Sequence, residues 1–63
     1  MKLEVVINYD ERTAIVWIVK ADKSYDLVTY TAKKTVHYAE YAKTYAQNVA
    51  SVIDCAVEII IKE

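Results

Sequence analysis

The sequence predicts an α+β domain: a three-stranded antiparallel meander, one long amphipathic helix, then a fourth strand, with the helix packed on one face of the sheet. Three observations carry that reading. One segment alone, Thr35 to Cys55, has a helical period; runs with strand-like alternation flank it on both sides; and the connections between the first three runs are short.

Leu3 to Tyr9 alternates Leu3, Val5, Ile7 and Tyr9 against Lys2, Glu4, Val6 and Asn8, which reads as a first strand. Asn8 to Thr13 is rich in turn formers and gives a hairpin loop of about three to five residues. Thr13 to Lys20 is dense in β-branched residues and forms a second strand, with Ile15, Trp17 and Val19 on one face and Ala14, Val16 and Ile18 on the other. Ala21 to Ser24 is a second turn. Tyr25 to Thr31 alternates Leu27 and Thr29 against Val28 and Tyr30 as a third strand, and Val57 to Lys62 supplies the fourth.

In the helix, Tyr38, Tyr41, Ala42, Tyr45, Ala46, Val49, Val52, Ile53 and Ala56 share one side, and charged and amide residues fill the other. The apolar side divides again. Ala39, Ala42, Ala46 and Ala50 make a ridge short enough for close approach to a sheet, while Tyr38, Tyr41 and Tyr45 line the margin. Tyrosines suit a margin because each ring is apolar and each hydroxyl needs water or a partner. A right-handed crossover brings the fourth strand beside the first, giving spatial order 3-2-1-4.

One 63-residue chain makes a single compact domain, residues 1–63, and hides only about 60% of the surface its unfolded form exposes. One cysteine excludes an internal disulfide, and one histidine leaves no ligand set, so neither a metal nor a cofactor is expected. The chain has no glycine, which excludes a phosphate-cradling loop and forces any left-handed turn position onto a residue with a Cβ. The charge of −1 is scattered rather than gathered into a basic stripe, which argues against nucleic acid. No run is long enough to span a membrane. Together with the lone thiol and the absence of a leader pattern, this predicts a cytoplasmic protein.

The possible chemistries are thin. His37 and Glu40 stand three apart on the solvated face and are too few to hold a metal. His37 and Cys55 lie at opposite ends of one helix, about 27 Å apart by the helical rise, too far for a base to reach a thiol. Lys33 and Lys34 precede the helix, where Thr31 or Thr35 could cap it and free backbone N–H groups could hold an anion; two solvated lysines is the plainer reading. No enzyme is expected.

What remains is excess apolar surface. The second and fourth strands are apolar on both sides, a pattern that belongs in sheets covered on both faces, and the chain supplies one helix. The sequence therefore predicts a small protein-binding module that self-associates, with a homodimer favoured, and that could serve as an inhibitor or adaptor of a larger protein. The contact residues expected are Tyr38, Tyr41 and Tyr45 on the helix margin; Val16, Ile18, Val28 and Tyr30 on the uncovered face, which leaves Trp17 to meet the alanine ridge; and Glu58, Ile60 and Lys62 on the last strand. If that strand is an edge, a two-fold axis through Ile60 sets Glu58 opposite Lys62 of a second copy. The alternative is weak single-strand nucleic-acid binding through Trp17, Tyr25, Tyr30 and Lys33.

Overall fold

A computed structural model describes residues 1–62. The elements follow the expected order: β1 Lys2–Asn8, β2 Thr13–Lys20, β3 Lys23–Thr31, α1 Tyr38–Ile53 and β4 Ala56–Lys62. They form one four-stranded sheet in the order β3-β2-β1-β4, with β4 parallel to β1 and the other neighbours antiparallel. The helix covers one face. It is shorter at its start than the periodicity suggested, because Ala32 to His37 is a set of turns closed by the Thr31 carbonyl accepting from Lys34 and Thr35 N–H. Thr35 Oγ1 then accepts from His37 N–H at 3.1 Å, and helical bonding begins with Tyr41 N–H donating to the His37 carbonyl.

Three turns need left-handed backbone, and residues with side chains supply it: Arg12 (φ 56°), Ala21 (φ 50°) and Asp54 (φ 57°). Arg12 ends the β1–β2 loop, in which Asn8 Oδ1 accepts from Glu11 N–H at 2.9 Å. Ala21 opens the tight turn between the paired residues Lys20 and Lys23. Asp54 terminates the helix, its N–H donating to the Ala50 carbonyl. The αL region costs an L-residue roughly 1–2 kcal/mol. Asp tolerates it best of the three because its short side chain bonds locally; Ala21 has no such compensation.

The core is the layer between helix and sheet. Leu3, Val5 and Ile7 of β1 and Ala14 and Val16 of β2 are fully buried there, against Ala39, Ala42, Ala46 and Ala50. The alanine ridge thus seats as expected, but the face of β2 beneath it is the opposite of the one expected. Val16, Ile18, Val28 and Tyr30 lie on the covered face, either in the core or packed against it, and Trp17 lies on the open face. The reason is loop length. Tyr9 to Arg12, four residues, joins the paired Asn8 and Thr13, which sets Leu3 opposite Ile18 and Val5 opposite Val16. A loop one residue shorter or longer would have set Ile15 and Trp17 beside Val5 and Leu3, since a one-residue slip exchanges faces.

A bulge in β3 matters in the same way. The ladder slips between Val16 and Trp17, so that Trp17 faces Asp26 while Val16 faces Val28, with Leu27 as the extra residue. The slip turns Tyr25, Val28 and Tyr30 toward the helix together.

Candidate functional site

The open face is better sheltered than its composition suggested. Trp17 stands directly opposite Glu4, and its indole N–H donates to Glu4 Oε1 at 2.7 Å, which ties the ring across the neighbouring strand. Ile15, Trp17, Val19 and Ile60 are each half-buried, and Val6, level with Ile15 and Ile60, keeps only 7% of its surface exposed. Glu4 also meets Lys2 Nζ at 3.3 Å, and the same ammonium lies 2.6 Å from Glu58 Oε1 on β4. The bond from Trp17 lowers the Glu4 carboxyl below its ordinary value, with Lys2 adding to the effect, while Lys2 is raised first by Glu58 and then by Glu4. Two carboxylates share one ammonium here, so the cluster retains a negative charge.

Exposed apolar side chains lie on both flanks of the helix, and also at Met1, Tyr9, Tyr25, Leu27 and Val36; Val52, expected on the apolar side of the helix, is 83% exposed. Toward β3 the margin tyrosines separate. Tyr38 is buried, with Tyr9 6.4 Å away between ring centres, so it belongs to the core. Tyr41 is exposed and meets Tyr30 edge-on at 6.1 Å. With Tyr45, Thr44 and Asn48 these two line an open groove of about 340 Å³. Its walls carry phenol and threonine hydroxyls, one amide and aromatic faces, but no carboxylate, imidazole or amine. Such a lining supports apolar contact with a hydrogen-bonding rim, and offers no acid–base pair.

Toward β4 the other flank of the apolar stripe carries Ala39, Ala50 and Lys43, across the stripe from Tyr41 and Tyr45. Alanines reach too little to cover β4. Ile59 and Ile61, level with Val5 and Ile7 on the helix side of the sheet, remain 45% and 53% exposed. β4 is also a sheet edge.

No protein-family model, curated protein or solved structure matches this chain. The geometry therefore stands alone. Among the described residues no group of three or more histidine, cysteine or acidic side chains could hold a metal ion, and no helix is long and apolar enough to cross a membrane. His37 and Cys55 bracket the helix, as the spacing implied. Lys33 and Lys34 are exposed in the turns before the helix.

The expected contact residues are thus redistributed. Tyr41, Tyr45 and Tyr30 come together at one groove. Glu58, Ile60 and Lys62 lie on an unpaired edge. Val16, fully buried, is out of reach of any partner, and Ile18 and Val28 are half-covered by the core they pack against. Sequence reasoning missed Ile59 and Ile61 as exposed groups and the Lys2–Glu4–Glu58 cluster. Correct hairpin parity would have revealed the Glu4–Trp17 pair.

Proposed function

We propose that this chain is a non-enzymatic protein-binding module that self-associates. Its chemistry is contact rather than turnover, and a role as adaptor or inhibitor of a larger protein follows from the same surface. The observation that carries the reading is the placement of exposed apolar side chains on both helix flanks: Tyr41 and the groove toward β3, Ile59 and Ile61 toward β4. Exposed apolar surface gathered at a groove and an edge marks interaction sites, whereas scattered single residues need no explanation.

Light scattering over a concentration series tests it. The expected result is a mass that rises from monomer toward dimer and holds or increases with added salt. A monomer mass across the whole range removes self-association.

The nucleic-acid alternative loses its support in the geometry. A stacking platform needs its aromatics on one surface, and Trp17 lies on the open face while Tyr25 and Tyr30 lie on the helix side. Titration with an unstructured oligonucleotide at two salt concentrations separates the readings, since nucleic-acid affinity falls steeply with salt.

A further inference from the structure

The two edges of the sheet are not alike. Edge β3 is interrupted by the bulge, an irregularity that hinders pairing with another chain, and its exposed Tyr25 and Leu27 are interspersed with Lys23, Ser24, Asp26, Thr29 and Thr31. Edge β4 pairs with β1 without a register shift and runs Glu58-Ile59-Ile60-Ile61-Lys62, apolar on both sides with one charge of each sign at its ends. The bulge breaks the regular ladder at one edge, and the other edge is regular along its length.

We propose that β4 is the self-association surface, pairing antiparallel with β4 of a second copy about a two-fold axis through Ile60. This rests on the self-association proposed above and specifies its interface. Three features select the occupant and the register. A two-fold axis across antiparallel strands passes through a residue, because paired residues must share a face. Centred on Ile59 it sets Glu58 against Ile60, and centred on Ile61 it sets Ile60 against Lys62. Centred on Ile60 it alone sets Glu58 against Lys62, twice, with Ile59 facing Ile61 on the helix side.

The Lys2–Glu4–Glu58 cluster supplies the second argument. Glu58 and Glu4 divide one ammonium between them, and the Lys62 ammonium of the second copy would bring the missing positive charge to the half-exposed Glu58 carboxylate. The third is cover. Joining the edges makes one continuous sheet of the two four-stranded ones, with both helices on the same side. The exposed Ile59 and Ile61 of each copy then fill the seam between them, where the alanine flank gives no shelter. So short an edge buries less than the ~1,600 Å² of a standard interface, so the dimer is concentration-dependent.

The test uses the full chain carrying Cys55→Ser. In that background Ile60→Cys sets two thiols across the axis at the ~4.5–5.5 Å Cα spacing of facing antiparallel residues, within disulfide reach. Mild oxidation is expected to give covalent dimer, while Tyr45→Cys in the groove gives little. Separately, Lys62→Glu and Glu58→Lys, each alone, place like charges face to face and weaken the dimer roughly tenfold. Mixing the two variants restores opposite charges in a heterodimer and recovers the wild-type mass. Covalent dimer from Ile60→Cys together with recovery on mixing supports the interface. A wild-type dimer that neither crosslinks through position 60 nor responds to Lys62→Glu overturns this edge while leaving self-association standing. A wild-type monomer at all concentrations overturns both.

Discussion

The face assignment yields a comparison between two adjacent residues. Val16 is fully buried beneath the alanine ridge, and Ile15 is half-buried on the open face. Val16→Ala removes two buried carbons, about 1.6 kcal/mol of transfer free energy. The cavity left between Leu3, Val5 and the helix raises the cost to about 2–3 kcal/mol. Ile15→Ala removes three carbons, but from a surface that water already reaches, at a cost of about 1 kcal/mol. The lost strand propensity is similar in both and largely cancels in the difference. A domain of this length holds about 3–9 kcal/mol in all, so Val16→Ala brings it near the edge of folding. Urea unfolding followed by far-UV circular dichroism reads both variants. With a slope of about 1 kcal/mol per molar, the Val16→Ala midpoint falls about 2–3 M and the Ile15→Ala midpoint about 1 M. Equal shifts, or a larger one for Ile15→Ala, would mean that the helix covers the other face and that the hairpin parity is wrong.

Other perturbations address the turns, the bulge and the charge cluster. Ala21→Gly and Asp54→Gly relieve left-handed strain at φ 50° and 57°, and each is expected to stabilise the fold by about 0.5–1 kcal/mol, read as a rise in thermal midpoint of a few degrees. Deleting Leu27 removes the extra residue of the bulge while keeping Val16 opposite Val28 and Trp17 opposite Asp26. Stability should change by less than about 1 kcal/mol in the same melting experiment, whereas collapse of the fold would show that the bulge itself is required. Glu4 has a folded pKa below its ordinary 4.5, so its contribution is present above that value and is lost as pH falls through the folded one. The emission of the single tryptophan should follow that acid transition, and Glu4→Gln, which still accepts the indole bond, should flatten it. Lys2 acts in the opposite direction: its pKa lies above 10.5, and its contribution is complete below that pH and lost as pH rises through the folded value.

Element order and the strand order were legible because local signals agreed. β1 alternates, α1 has its alanine ridge, and handedness left one place for β4. What could not be read was which side of β2 meets the helix. Ala14, Val16 and Ile18 compete with Ile15, Trp17 and Val19, both sets are apolar, and neither pattern excludes the other. The larger set has Trp17 and looks like the core. It is not, because a ridge of alanines packs close to the sheet and leaves room for Ala14 and Val16 rather than an indole. The deciding information sits in the loop, where Asn8 Oδ1 holds Glu11 N–H and Arg12 takes a left-handed turn, fixing four residues rather than three or five. The site inherited the error. The mistaken parity names Val16, Ile18, Val28 and Tyr30 as uncovered, whereas they face the helix and the open face carries Trp17, sheltered by its bond to Glu4. The same alanines that seat the helix closely are too short to shade Ile59 and Ile61, so tight packing over β1 and β2 and exposure at β4 have one cause. Larger residues at Ala39 or Ala50 would cover β4 only by lifting the helix off Leu3 and Val5, a cost that the proposed second copy avoids.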